Sequence, residues 1–494
     1  MGTGAVIELP IILTIFLAAT PAIIGLCVGL WLANKQNNYH WAVSPLLMSI
    51  GGIGGYLLMA TLIYFVDRNN AQIFTPHFLV TLSMLAAFAV FYVARAIYRN
   101  VMSSPVPRLS NISLSTIFVC SVALAMIGHL VIQTSLPVIG WDALNWYVWN
   151  AQEFIELNKQ SHTRLEPIEY RSDDYIQPVT ITLIASFSGW IATFNATTVG
   201  AMLPWQFIWV LIGTLVFALV TLHSERPLPG VVAALVVVTM PLLENHALIG
   251  GYTELWLTAV VLSSASLITV GIASKSLPFI VFGLCFSFVP FTLRNSGFIY
   301  SICLWAALAH CLLRMKSARL YLAWIAVVST ICILMLMNGF NFYFLGDIYS
   351  VQHIGESTHL TLGGRSWVVV RASVLDVLAN DFFAFFVNAS FSTTFLALSL
   401  VCFNCITCGQ IHKKLEKGAA PASFFISASV TIIVALMATQ LYFPYGFDHA
   451  TPGNDTGNSR FTLPAAALSI AACFLYALRL NDERGSPEAP VSLG

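Results

Sequence analysis

The segment QPVTITLIASFSGWIATFN, Gln177 to Asn195, decides how this chain is threaded. It is apolar enough to enter a membrane, yet it carries Gln177, Thr180, Thr182, Ser186, Ser188 and Asn195. A crossing helix needs about 20 mainly apolar residues. Such runs occur near 9–33, 41–66, 76–94, 113–135, 200–222, 229–248, 255–273, 277–293, 297–313, 320–338, 382–408, 422–443 and 461–480, which makes 13. Lys and Arg in short loops set orientation. Arg95, Arg99 and Arg108 form one cluster, and Arg314, Lys316 and Arg319 a second. Lys413, Lys414 and Lys417 form a third, and Arg479 and Arg484 a fourth. All four share one side if the 13 runs cross and 177–195 does not. Counting 177–195 as a crossing sends the three later clusters to the opposite face. The segment therefore reads as re-entrant or interfacial, its polar backbone shielded by protein. The N-terminus is then external and the C-terminus cytoplasmic.

Composition agrees with this threading. Of 494 residues, 58% are hydrophobic and 9% charged, against roughly 25% charged in soluble domains. Too few solvating side chains exist to cover a soluble globule of this size, which excludes a soluble enzyme, a disordered protein and a nucleic-acid binder. The expected fold is an all-α polytopic membrane protein. It has about 13 transmembrane helices, one re-entrant or interfacial helix and no large soluble domain. Two long external loops emerge, 136–176 and 339–381. The 22 basic and 22 acidic residues cancel. On this topology cytoplasmic segments hold 14 Lys/Arg against 5 Asp/Glu, and external segments 8 against 17, so the neutral total hides a polarised chain. All ten cysteines fall in or beside spans, which indicates no disulfide framework. Cys402, Cys405 and Cys408 read as buried small hydrophobes, His129 as a bundle hydrogen-bonder, and Gly51-Gly52-Ile53-Gly54-Gly55 as close helix packing. Compactness and terse loops point to a bacterial inner membrane.

The residues that could carry chemistry gather on the external side. In loop 136–176, Leu144, Tyr147, Val148, Ala151, Phe154 and Ile155 recur at helical spacing, among the amphipathic rings Trp141, Trp146 and Trp149. That pattern predicts a short helix on the membrane surface, with Asp142 at its N-terminal end. Asp142 is a helix N-cap or a general base at the lipid–water boundary. The loop ends Arg171-Ser172-Asp173-Asp174-Tyr175, whose paired carboxylates hold a divalent ion, raise one another's pKa or face water. Gly250-Gly251-Tyr252-Thr253-Glu254 heads the seventh span. Its glycines let a ligand approach the backbone, while Glu254 also suits a helix start by its charge alone. Glu244 lies close to the external end of the span before it. Arg294, before Gly297, and Arg460, at the start of the last span, either pair with a phosphate or snorkel to headgroups. Arg365, Arg371 and His449 are weaker candidates of the same kind.

The order of these motifs resembles the GT-C class of integral-membrane glycosyltransferases. The likeness is to the bacterial branch similar to the aminoarabinose and dolichyl-phosphate-mannose transferases. The matching elements are Asp142 in Trp141-Asp142, Asp173-Asp174-Tyr175, Gly251-Tyr252-Thr253-Glu254, Arg294 with Gly297, and Arg460. The likeness covers roughly 113–480, leaving 1–112 as N-terminal helices outside the matching core and 481–494 as a cytoplasmic tail. Glu254 stands where Asp is commoner, and Ser296 where an acid is common.

What the resemblance implies is transfer of a sugar from a polyprenyl-phosphate donor to a glycan, lipid or protein acceptor at the external face. Asp142 would act as base, with Glu254 and Asp174 beside it in the catalytic set. Arg294 and Arg460 would bind the donor phosphate. Trp141, Asn145, Asp173, Tyr175, Tyr252 and His449 would contact substrate, and membrane lipids surround the whole. A divalent metal is the one cofactor to consider, on Asp142, Asp173, Asp174 and Glu254. The alternative is a multi-pass transporter or flippase, which places its polar site near the bilayer midplane.

Overall fold

The computed structural model describes residues 11–34, 42–68, 74–103, 179–192, 203–224, 227–248, 250–274, 276–293, 297–313, 339–344, 347–354, 357–362, 365–369, 420–442 and 462–485, with single positions between 121 and 155. The chain divides into two compact units. The first takes in 1–266, 289–297 and 474–494, and the second 267–288 and 298–473. Among the described residues, four helices are long and apolar enough to cross a membrane: Leu13–Asn34, Val43–Val66, Leu203–Ser224 and Thr253–Ser274.

In the first unit, α1 (Ile11–Asn34) and α2 (Val43–Arg68) meet backbone to backbone. A Cβ on Gly25 would strike the Gly51 carbonyl, one on Gly55 the Pro21 carbonyl, and one on Gly29 the Leu47 carbonyl. The glycine run of the second span thus does what its small residues suggest, since only small residues let two helices approach so closely. Next, α3 (Pro76–Ser103) lies along α1, where the Cys27 thiol donates to the Ala89 carbonyl at 3.1 Å.

The segment 177–195 contains α4 (Val179–Ala192), of 14 residues. Its 14 described residues rise about 21 Å at about 1.5 Å per residue. Its Ser186 and Ser188 are buried and donate to the Thr182 and Ile184 carbonyls at 2.7 and 3.0 Å. Bonding within the helix is what lets these hydroxyls sit in an apolar surround.

Beyond it, α5 (Leu203–Ser224) runs beside α2, with Leu211 against Gly52. The expected span 229–248 is two helices, α6 (Pro227–Val238) and α7 (Pro241–Leu248). Pro241 has no N–H to continue the ladder, so the helix stops at Thr239–Met240 and restarts. Then α8 (Thr253–Ser274) is buried along almost its whole length.

The expected span 277–293 is also interrupted. In the second unit, α9 (Leu277–Phe286) folds back on the end of α8, Gly283 facing Ile268 and Gly271 facing Ile280. A turn at 287–289 follows. The single turn α10 (Pro290–Leu293), in the first unit, packs on α4. Within the second unit, α11 (Gly297–Leu313) pins the turn: Ser301 Oγ donates to the Ser287 carbonyl at 2.5 Å and Trp305 Nε1 to Ser287 Oγ at 2.7 Å.

Residues 340–369 correct the all-α expectation. They form a four-stranded antiparallel sheet, β1 (Phe340–Phe344), β2 (Asp347–Ile354), β3 (Ser357–Leu362) and β4 (Arg365–Val369), in that order. Alternation such as Phe340-Asn341-Phe342 and His359-Leu360-Thr361-Leu362 is the strand signal that an apolar-run scan passes over. Last come α12 (Ala420–Tyr442) and α13 (Leu463–Gly485), joined by Ser429 Oγ, which reaches the Ala465 carbonyl at 2.8 Å and Ser469 Oγ at 2.6 Å. The expected spans 113–135, 320–338 and 382–408 lie outside the described residues, as do Cys402, Cys405, Cys408 and His129.

Candidate functional site

The head of α8 is the candidate site element that the structure describes. Gly251 adopts φ 97°, a left-handed conformation that glycine takes without a Cβ clash. That turn lets the chain swing from α7 into α8 within a few residues. It sets Tyr252 against His246 of α7, with ring centroids 4.5 Å apart and planes 29° from parallel. The Tyr252 carbonyl accepts a hydrogen bond from Trp205 Nε1 of α5 at 2.9 Å.

Glu254 follows in the first turn of α8 and is 1% exposed. Its backbone carbonyl accepts from Thr258 Oγ1 at 2.8 Å, which closes the helix behind it. The positive end of the helix dipole favours a carboxylate in a first turn. A carboxyl at this depth in an apolar bundle would otherwise carry a large desolvation cost.

An aromatic frame holds this turn. Trp256 meets Trp205 edge-on at 5.9 Å and Tyr56 of α2 edge-on at 5.6 Å. Tyr56 in turn donates its hydroxyl to the Ala18 carbonyl of α1 at 2.9 Å. All three rings are fully buried. Helices α1, α2, α5 and α8 are thereby tied through Tyr56, Trp205 and Trp256 to the backbone carrying Glu254.

A second convergence surrounds α4. This helix touches α1, α2, α5 and α10. Trp190, near its end, packs at a tilt against Phe74 and Phe78, with ring centroids 5.0 and 5.9 Å away, from the segment that begins α3. From the loop 136–176, Ala151 and Ile155 are helical and buried, as the spacing predicts. Ile155 Cδ1 lies 3.5 Å from where a Cβ on Gly189 would stand. The loop helix therefore packs at this position on protein rather than on lipid alone.

Of the expected site residues, Tyr252 and Glu254 fall within the described structure, Tyr252 immediately before α8 and Glu254 two residues on, in its first turn. Trp141, Asp142, Asn145, Asp173, Asp174, Tyr175, Arg294, His449 and Arg460 lie outside the described residues, as does Arg371. Chain neighbours of several of them are placed. Asp173-Asp174-Tyr175 precedes α4 by a few residues, Arg294 follows α10 directly, and Ile155 belongs to the helix that Asp142 heads in the sequence pattern.

Sequence reasoning missed His246 and the two tryptophans. His246 had a local signal, because Glu244-Asn245-His246 closely precedes the glycine turn. Trp205 had none, since its partner carbonyl is 47 residues away. Among the described residues no group of three His, Cys, Asp or Glu side chains could hold a metal ion.

The class these features define is a largely helical membrane protein, with a buried acid at the head of a helix long and apolar enough to cross the bilayer. No protein-family model matches the chain, and neither a curated protein nor a solved structure matches it.

Proposed function

We propose that this chain is a GT-C-type glycosyltransferase. It moves a sugar from a polyprenyl-phosphate donor to an acceptor hydroxyl at the external face of a bacterial inner membrane. The topology is the one with 13 crossings, an external N-terminus and a cytoplasmic C-terminus. The observation that supports this reading most is the convergence on α4. The loop helix through Ile155 and the turn before Arg294 both pack on this short helix, which itself follows Asp173-Asp174-Tyr175. Glu254 adds a buried acid in the same compact unit.

In this mechanism Asp142 takes the proton from the acceptor hydroxyl, and the freed oxygen attacks C1 of the sugar from the face opposite the phosphate. The C1–O bond breaks with its electron pair passing to the polyprenyl phosphate, so configuration inverts. Arg294 and Arg460 neutralise the departing phosphate through paired N–H···O contacts. Glu254 and Asp174 orient sugar hydroxyls, and Trp141, Asn145, Asp173, Tyr175, Tyr252 and His449 line the substrate. Asp142, Asp173, Asp174 and Glu254 are the oxygen donors a divalent ion would use. No step requires one, because a phosphate leaving group carries its charge well unaided.

A transporter reading has less support. Two of the α8 hydroxyls that a polar path could use, Thr258 and Ser263, donate instead to the Glu254 and Ala259 carbonyls of their own helix.

The test is an Asp142→Asn variant, reconstituted in liposomes with a radiolabelled polyprenyl-phosphate sugar and membrane acceptor. The expected result is loss of transfer with the fold retained. Full transfer by this variant contradicts the mechanism.

A further inference from the structure

Helix α3 buries one narrow seam. Leu82, Ala86 and Ala89 are buried on it, and the Cys27 thiol of α1 donates to the Ala89 carbonyl there. Each residue turns an α-helix by about 100°. Val80, Met84, Phe88, Phe91 and Arg95 therefore fall within about 80° of arc, on the side opposite that seam. The four apolar members are between 58% and 70% exposed. Arg95, at one end of the stripe, and His77, at the other, are exposed as well.

The stripe has the length and the chemistry of a bilayer face. From His77 to Arg95 the helix rises about 27 Å at about 1.5 Å per residue, against roughly 30 Å of hydrocarbon. Between those polar ends its exposed side chains are apolar except Thr81, whose hydroxyl donates to the His77 carbonyl at 2.9 Å. A second copy of the chain fits the stripe poorly. The membrane gives every copy the same orientation, so a two-fold contact through this face sets Arg95 beside its own counterpart. No Asp or Glu occurs between Asp67 and Asp142 to separate the two charges, and unmatched charge in an apolar contact is costly. Phospholipid supplies what the stripe lacks: acyl chains for the rings and the methionine, and a phosphate for the guanidinium. Arg99 lies four residues beyond Arg95 on the same helix, which makes this end of α3 doubly basic and favours an anionic headgroup.

We infer that this face of α3 is a phospholipid site, with acyl chains along Met84, Phe88 and Phe91 and an anionic headgroup on Arg95. The site is independent of any glycosyl transfer, so failure of the transfer assay leaves it standing. The test uses the full-length chain in vesicles of phosphatidylethanolamine with a minority of phosphatidylglycerol. The photo-crosslinker benzoylphenylalanine replaces Phe88, Phe91 or, as a control, Phe74, which is buried against Trp190. Each is an aromatic-for-aromatic change, and Phe88 and Phe91 read the same face should one protein misfold. Mass spectrometry then identifies the adducts. Phospholipid adducts at Phe88 and Phe91 should exceed those at Phe74 several-fold. At Phe91, one turn before Arg95, phosphatidylglycerol should be several-fold enriched over its share of the vesicle, and Arg95→Gln should return it to that share. Overturning results are a dimer band, adducts from Phe88 and Phe91 to another segment of this chain, or lipid adducts as frequent at Phe74. Phosphatidylglycerol at its bulk share, or an enrichment that survives Arg95→Gln, overturns the headgroup assignment.

Discussion

Trp205→Phe isolates the bond that holds the turn before Glu254. The indole donates to the Tyr252 carbonyl at 2.9 Å, and the side chain is fully buried. Losing a donor to a buried carbonyl costs about 1–3 kcal/mol. The indole volume removed adds about 1 kcal/mol, taking roughly 24 cal/mol per Å³ of residual cavity. The expected loss of stability is therefore about 2–4 kcal/mol.

Trp209→Phe is the matched control. Trp209 lies on the same helix, is buried, and donates Nε1 to the Val238 carbonyl at 2.9 Å. Equilibrium unfolding in mixed micelles should show similar losses for both variants. Transfer from a polyprenyl-phosphate sugar, measured where both remain folded, should fall much further in Trp205→Phe, because its bond, unlike that of Trp209, holds the backbone next to Glu254. An unchanged unfolding midpoint in Trp205→Phe would refute the framing bond. Equal losses of transfer in both variants would refute its link to the site.

Other substitutions test other parts of the account. Gly51→Ala puts a methyl group against the Gly25 carbonyl, and because the obstacle is backbone, α1 and α2 must part. A loss of about 1–3 kcal/mol in the same unfolding assay is expected. Glu254→Gln keeps the shape and removes the charge. If Glu254 is a helix-start acid alone, stability falls by no more than about 2 kcal/mol and transfer persists. A catalytic carboxyl predicts a fall in transfer of about 100-fold or more instead. Arg294→Ala and Arg460→Ala should each weaken binding of the polyprenyl-phosphate donor in a filter-binding titration, and unchanged affinity would leave both as headgroup anchors.

Much of the fold could be read from local sequence. The glycine run 51–55 predicts tight packing, and α2 meets α1 through it. Within the hydroxyl-bearing segment 177–195, α4 is helical and buried, its serines bonded within the helix. These features are legible because their physics is local: small side chains permit close approach, and a serine hydroxyl can bond the carbonyl four residues back in its own helix.

The misses have physical reasons too. Hydropathy averages over a window, so it runs straight through Thr239–Met240 and the turn 287–289, where a proline or a few backbone angles end a helix without changing polarity. The sheet at 340–369 alternates with a period of two, and a 20-residue average erases that signal. For the site, Gly251 and Glu254 were visible as a motif. The frame of Tyr56, Trp205 and Trp256 joins three helices distant in sequence, and no local pattern announces it.

The most direct test of the central claim follows one bond. The full-length chain in liposomes is given a donor labelled in both the sugar and the polyprenyl phosphate, with membrane acceptor present. Glycosyl transfer predicts cleavage at C1, with free polyprenyl phosphate appearing in step with sugar on the acceptor, and loss of both in Asp142→Asn. Passage of intact donor from one leaflet to the other, with the C1–O bond unbroken, would contradict the account and make this chain a transporter.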